Sequence, residues 1–323
     1  MPKSEDRNLA LELVRVTEVS ALAASEWIGK GDKIAADRVA VDKMRERLMA
    51  IDFKGEIVAG EGRKDKAPQL YEGELVGNGK EPEIDLVVDP LECTDSVAWG
   101  RMNAMAVIAA GAKGSLMRMP DMYMRKIAVG PQAKGKIDLD ASVKDNLKKI
   151  AKALDKHIEE LMVVVLDRPR HQDLIKEIRH AGARVILITD GDVAAAIATA
   201  IPESGIDVLM GVGASAEGVQ AATALQCLGG EIQGRLQPKN DEEIELCKQS
   251  GIKKIDKKLF NSDFAKGDQL LFVATGVIDG PLLKGIRITK DQAISHSVVM
   301  RKFTGTVRFI EAHHKLGYEP IKL

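Results

Sequence analysis

The 323-residue chain predicts an α/β protein, and three observations carry that prediction. Its second half alternates apolar, β-branched runs with amphipathic stretches, the pattern of a parallel sheet covered by helices on both faces. Its first half opens on two helical patterns and then passes into short apolar runs separated by glycine-rich turns, which predict an antiparallel or mixed sheet. Apolar residues make up 45% and charged residues 29%, so the chain can bury a large core beneath a polar surface.

The elements follow in order. Leu9, Leu13, Val16, Val19 or Ser20, Ala23 and Trp27 recur every three to four residues and predict a helix with one buried stripe, broken at Gly29-Lys30-Gly31. A second helix starts near Asp32, turns Ala36, Val39, Ala40, Met44 and Leu48 inward, and ends before Lys54-Gly55. Strands are predicted at 56–59, 84–88, 105–110 and 115–119. Beyond Pro131 a polar, Lys-rich stretch leads to a helix over 142–154, and a domain boundary is placed there, between residues 135 and 136. The two parts, 1–135 and 136–323, are separate domains or one compact two-part unit.

Strands at 161–166, 184–189 and 207–212 then alternate with helices at 172–180, 193–200 and 216–228. Strands near 270–274, 285–288, 295–300 and 305–310 complete a sheet.

Composition excludes several classes. A net charge of −1, from 47 basic and 48 acidic residues, supplies no global field to recruit nucleic acid or anionic lipid. Cys93, Cys227 and Cys247 form no CxxC pair and no disulfide framework, which points to a reducing cytoplasm. The charged first residues are followed by no apolar signal segment, and no window approaches the roughly 18 apolar residues of a membrane span. A soluble cytoplasmic protein is expected.

The most informative segment is Ile84-Asp85-Leu86-Val87-Val88-Asp89-Pro90-Leu91-Glu92-Cys93-Thr94-Asp95-Ser96. Pro90 lacks a ladder donor, so the strand is expected to stop there and leave the acids at its end. Asp89, Glu92 and Thr94 can then gather hard oxygen atoms around one point, which suits Mg²⁺ or Mn²⁺. The rival reading is an acidic turn that caps a helix or faces water. Further carboxylates fall at turns: Asp37, Glu61 and Asp65, and finally Glu217. So many like charges share a pocket only with cations, and two or more divalent ions would resolve their repulsion.

The cationic counterpart is Arg168-Pro169-Arg170 at a strand end, where planar guanidinium groups can grip a phosphate. Other polar clusters, Asp190-Gly191-Asp192 and the turn from Gly213 to Gly218, also follow strands, where sheets of this type bind ligands. Acids, metal and arginines together suggest phosphoryl chemistry. Each residue has a plainer reading. Lys33 and Asp37 could form an ordinary i,i+4 pair, Asp192 could be an N-cap, Tyr123 a packed aromatic, and the arginines solvated. The histidines show no metal spacing and read as structural or exposed. Cys93 is not expected to be a nucleophile, although its place makes it an oxidation target.

The segments GKGDKIAADRVAVDKMR, VAGEGRKDKAPQLYEGE, DLVVDPLECTDSVAWG, MPDMYMRKIAVGP, DRPRHQDLIKEIRHAGARVILITDGDVAAAI, GVGASAEGV and VATGVIDGPLLKGIR occur in one order between Asp6 and His314. This series resembles the class II fructose-1,6-bisphosphatases, including the type that also hydrolyses sedoheptulose 1,7-bisphosphate. The resemblance implies a layered α-β-α-β-α sandwich of the lithium-sensitive sugar phosphatase type, with the metal site in the N-terminal part and sugar-phosphate binding in the second. It implies a homo-oligomer, dimer or tetramer, and Mg²⁺ or Mn²⁺ at two or more per site.

By position it implies metal ligands at Asp37, Glu61, Asp89, Glu92 and Glu217, and a catalytic part for Thr94, Asp65 and Lys33. Substrate contacts are implied at Glu92, Cys93, Thr94, Tyr123, Arg168, Pro169, Arg170, Asp190, Gly191, Asp192 and Ala214. The chain departs from the family pattern at Cys93, where the family has glycine, and at Ser215-Ala216, where it has an alanine and a proline. A cysteine tolerates such a tight turn only with negative φ or with its strain offset elsewhere.

The expected activity is hydrolysis of the 1-phosphate of a small-molecule sugar bisphosphate, with a role in gluconeogenesis. Two other readings stay open: an inositol-type monophosphatase, against which the paired arginines argue, and a catalytically weak regulatory protein that keeps the sugar-phosphate pocket.

Overall fold

Two helices open the chain because their apolar residues meet one another and a sheet. The computed structural model describes residues 6–62 and 68–315. Helix α1 (Asp6–Ser25) buries Leu13, Val14, Val16 and Ala21, and so has more than the one stripe expected. Its buried hydroxyls are satisfied: Thr17 Oγ1 lies 2.7 Å from Thr275 Oγ1, and Ser20 Oγ lies 2.9 Å from the Pro90 carbonyl oxygen. Helix α2 (Lys33–Met49) is capped by Asp32, whose side chain accepts from the Ala35 amide, and it buries Ala36, Ala40, Val41, Met44 and Leu48. Val41 thus takes the place expected for Val39.

The chain continues through β1 (Lys54–Ala59), β2 (Leu75–Val76), β3 (Glu83–Glu92), α3 (Thr94–Trp99) and β4 (Met105–Ala112). The strand expected over 115–119 does not form; the chain turns there, with a single bridge at Leu116.

A second set follows: β5 (Tyr123–Val129), α4 (Val143–Ala153), β6 (Met162–Leu166), α5 (Gln172–His180), β7 (Arg184–Ile188), α6 (Asp192–Ala198), β8 (Val208–Ala214), α7 (Ser215–Leu228), β9 (Glu231–Leu236), α8 (Asp241–Gln249), β10 (Leu259–Phe260) and α9 (Asn261–Phe264). The last strands are β11 (Leu271–Gly276), β12 (Arg287–Ile288), β13 (Gln292–Arg301) and β14 (Thr306–Lys315).

Two compact units result, one from residues up to 116 and from 267 onward, the other from 117–266. In the first, β1 runs parallel to β3, while β3, β4, β11, β13 and β14 pair antiparallel in succession. The sheet is mixed, as the glycine-separated runs predict. Helices α1 and α2 pack on it, and Leu13, Met44, Leu48, Phe53, Leu86 and Ile108 share one core.

In the second unit β6 is parallel to β7 and β8, as predicted, but β5 lies antiparallel between β8 and β9. The sheet is therefore mixed and not wholly parallel. The reason is connectivity: β5 enters from the first unit and needs no crossover helix, so it can run opposite to its neighbours. Alternating residues divide the faces, with Val163, Val165, Val208 and Met210 joining α4 and α5 in one core, while α6 and α7 pack against the sheet as well. Edge strand β7 is left partly uncovered, with Ile186 37% and Leu187 39% exposed. Among the described residues no helix is long and apolar enough to cross a membrane.

Candidate functional site

In the first unit the acids do not lie beyond a finished strand. Strand β3 runs through Pro90 to Glu92, and its pairing slips from Asp89 opposite Val107 to Glu92 opposite Met105. Three steps on one strand face two on the other, which is a bulge, and a bulge tolerates a residue with no N–H to donate. The expected stop at Pro90 is thus corrected to a kink. The Leu91 amide donates to Asp89 Oδ1 at 3.1 Å, and Glu92 is buried. Burial first, and then the nearby charge of Asp37, push the Asp89 carboxyl up to about 7. Burial also raises the Asp37 carboxyl. Asp37 and Asp89 therefore form an interacting acid pair.

Lys33 does not make the i,i+4 pair with Asp37; its Nζ lies 3.1 Å from Asp95 Oδ1 on α3. Cys93 caps α3 with φ 71° and ψ 48°, a left-handed conformation, so the condition of negative φ is not met. Thr94 opens α3, and its Oγ1 sits 3.5 Å from the Leu91 carbonyl oxygen. Glu61 follows a turn that only glycine can make, because a Cβ on Gly60 would meet the Leu70 carbonyl oxygen at 2.2 Å. The Glu61 amide donates to that same oxygen at 3.0 Å. Asp65 lies outside the described residues.

In the second unit the polar residues gather at strand ends. Arg168 pairs with Asp190 at 2.5 Å, so the first arginine is tied to the loop before α6. Arg170 donates from Nε and Nη2 to the Val212 carbonyl oxygen at 3.1 and 2.7 Å, and its guanidinium carbon stands 4.6 Å from the Tyr123 ring centroid. Lys239 Nζ approaches the same ring to 3.9 Å. Pro169 opens the short turn, Pro169–His171, that leads from β6 into α5.

The buried His171 fixes that turn: its Nδ1 lies 2.7 Å from the Leu166 carbonyl oxygen, and its Nε2 accepts from the Val212 amide at 2.8 Å. With one nitrogen accepting, the ring is neutral, in keeping with a pKa lowered first by burial. The structural reading of this histidine holds.

Asp192 carries a second bond network. Gly191 takes φ 89°, α6 begins at Asp192, and the Asp192 carboxylate is buried against Lys126, Oδ2 to Nζ 2.5 Å. Lys126 Nζ also reaches the Ala214 carbonyl oxygen at 3.0 Å and Glu217 Oε2 at 3.4 Å. Burial pulls the ammonium's pKa down, but the charges of Asp192 and Glu217 outweigh it and hold the group above its ordinary value. Glu217 Oε2 accepts from the Ala214 amide at 3.2 Å, closing the first turn of α7. A Cβ on Gly213 would meet Asp192 Oδ2 at 2.0 Å and Lys126 Nζ at 3.0 Å, so this network leaves room for glycine alone.

Sequence reasoning missed Lys126 and Lys239. A signal for Lys126 was available: in Met124-Arg125-Lys126-Ile127 the period-two alternation turns Arg125 outward and Lys126 inward, beside Asp192. Lys239 had none, since it stands in a polar loop after β9.

Hard carboxylate oxygens, a partly buried acid pair and a separate cation group suit a metal-dependent phosphatase. The sequence profile described as bacterial fructose-1,6-bisphosphatase, glpX-encoded, matches residues 7–314. A protein of Synechococcus sp. (strain JA-2-3B'a(2-13)) described as D-fructose 1,6-bisphosphatase class 2/sedoheptulose 1,7-bisphosphatase is 45% identical over 98% of each chain. A protein of the same description from Crocosphaera subtropica (strain ATCC 51142 / BH68) is 44% identical over 96% of each. A solved structure described as an extragenic suppressor from Pyrococcus furiosus is 12% identical over 58% of this chain and 68% of that one. Its TM-score of 0.30 is too low to carry an argument. The chain therefore belongs to the glpX-encoded family of bacterial fructose-1,6-bisphosphatases, whose members are phosphatases.

Proposed function

We propose that the protein hydrolyses the 1-phosphate ester of fructose 1,6-bisphosphate, in gluconeogenesis, and the corresponding ester of sedoheptulose 1,7-bisphosphate. The observation that carries this reading is the Asp37–Asp89 pair, in which the Asp89 carboxyl is pushed up to about 7 by burial and by its neighbour's charge. Two acids set so that both cannot ionise at low cost are suited to share a cation.

The proposed ligands are Asp37, Glu61, Asp89, Glu92 and Glu217. Mg²⁺ or Mn²⁺, two or more per site, would when bound neutralise phosphoryl oxygens and lower the pKa of water. Thr94, at the start of α3, would orient that water or donate to the phosphate, with Glu61 or Asp65 accepting the proton. Lys33 stands beside Asp95 and adds positive charge there. Arg168, Pro169 and Arg170 with Tyr123 would hold the distal phosphate. Asp190, Gly191, Asp192, Ala214 and the backbone of Glu92 and Cys93 would bound the sugar. Bond making is in-line displacement at phosphorus, with the sugar hydroxyl leaving.

A cytoplasmic homo-oligomer, dimer or tetramer, is part of this reading, and the uncovered edge strand β7 supports the oligomer. Phosphate release from both bisphosphates and from inositol 1-phosphate, with Mg²⁺ and with Mn²⁺, tests it. Turnover of both sugar bisphosphates and its loss in Asp89→Ala are expected. Full activity in Asp89→Ala removes the metal argument. Preference for inositol phosphate, or tight sugar-phosphate binding without release at any metal concentration, overturns the substrate assignment in favour of the monophosphatase or regulatory reading.

A further inference from the structure

We propose that Lys239 is a further ligand of the substrate's distal phosphate and sets the selectivity for a bisphosphate over a monophosphate. The inference rests on the hydrolase reading above and adds a residue to it. Lys239 Nζ lies 3.9 Å from the centroid of the Tyr123 ring and the Arg170 guanidinium carbon 4.6 Å from the same centroid. Two cations thus meet at one aromatic side chain. Among the described residues neither has a carboxylate partner, whereas Arg168 beside them is paired with Asp190. Both charges stand without a carboxylate at one ring, and an anion at that ring is attracted to each of them.

The backbone prepares this position. The Gln237 amide donates to the Tyr123 carbonyl oxygen at 2.8 Å, which fastens the loop after β9 to the residue that carries the ring. The Lys239 amide donates to Glu243 Oε2 at 2.7 Å, and Asn240 caps α8 by accepting from the Glu243 amide at 2.9 Å. The base of the lysine is therefore anchored on both sides, and only its methylene stem remains to be ordered. Arg170 is also pre-set, since two of its N–H groups are spent on Val212 and the rest are left for a ligand. The ring offers Tyr123 Oη as a further donor at the same place. Bidentate guanidinium, ammonium and phenol are a donor set for phosphate. On the hydrolase reading the carboxylates would hold metal ions that meet the charge of the reacting phosphate, so the phosphate met by side-chain cations alone would be the distal one.

Steady-state kinetics on the full chain at saturating Mn²⁺ test this with fructose 1,6-bisphosphate and fructose 1-phosphate. Losing one charge-assisted bond at a solvent-open site is expected to raise KM for the bisphosphate about tenfold in Lys239→Met. Its kcat and its kcat/KM for the monophosphate stay unchanged. Lys239→Arg restores the selectivity. Equal losses on both substrates, or no loss on either, overturn the inference while leaving the hydrolase reading in place.

Calorimetric titration with fructose 6-phosphate in chelator, where turnover is absent, gives a second readout. Lys239→Met is expected to bind about tenfold more weakly than the unaltered chain. Equal affinity, or no binding by the unaltered chain, overturns the inference whatever the enzyme hydrolyses.

Discussion

Replacing Cys93 by glycine and by alanine isolates the strain at the turn between β3 and α3. Cys93 sits at φ 71°, ψ 48°. A side chain with a Cβ costs about 1–2 kcal/mol in that conformation. Glycine avoids this cost but gives up about 0.5–1 kcal/mol relative to alanine through the greater freedom of its unfolded chain. The difference leaves Cys93→Gly more stable than Cys93→Ala by up to about 1.5 kcal/mol. At an ordinary negative φ the order is reversed, so the sign is diagnostic.

Both variants lose the same partly buried thiol, which packs on the first unit's core, and that loss cancels in the comparison. Urea denaturation at equal m-values reads the difference as a shift in midpoint. Phosphate release on the same samples is expected to equal or exceed that of the unaltered chain in Cys93→Gly. An alanine variant more stable than the glycine variant would refute the strain argument.

Three other outcomes follow from the geometry. The folded Asp89 carboxyl, at about 7, binds a proton between that pH and its unfolded value of about 3.9, so the folded state holds more protons in that window. In chelator, stability should therefore gain from this group as pH falls from about 7 toward 4, and lose it as pH rises through 7. Asp89→Asn or saturating Mn²⁺ flattens that slope in thermal melts, and an unchanged slope in Asp89→Asn contradicts the assignment.

Lys126→Met leaves Asp192 and Glu217 without their shared ammonium and should destabilise by about 3–5 kcal/mol in urea. Adding Asp192→Asn should recover part of that, and additive losses would argue against the pairing. Gly60→Ala drives a Cβ to within 2.2 Å of the Leu70 carbonyl oxygen, and a loss of about 1–3 kcal/mol in melting experiments is expected.

Much of the local structure was legible in the chain. The 3.6-residue spacing located α1, α2, α4 and α5, and continuous apolar runs located β6 and β7, because these elements bury one face or two and their side chains must repeat accordingly. The acids and arginines at turns were legible for a similar reason, since turn residues and strand ends can be read from a few neighbours.

What depended on distant partners could not be read. Pro90 lies in a strand because the bulge opposite Val107 and Met105 accepts it, and that register belongs to β4 as much as to β3. Lys33 chose Asp95 over the closer Asp37, since α3 packs beside α2. The antiparallel course of β5 between β8 and β9 brought Lys126 to Asp192 and Glu217, and Tyr123 to Arg170 and Lys239. Residue order determined the helices, the strands and the chemical types available at their ends. Tertiary structure alone decided which charges meet, because electrostatic partners are chosen by distance in space, and sheet pairing brings together residues far apart in the chain.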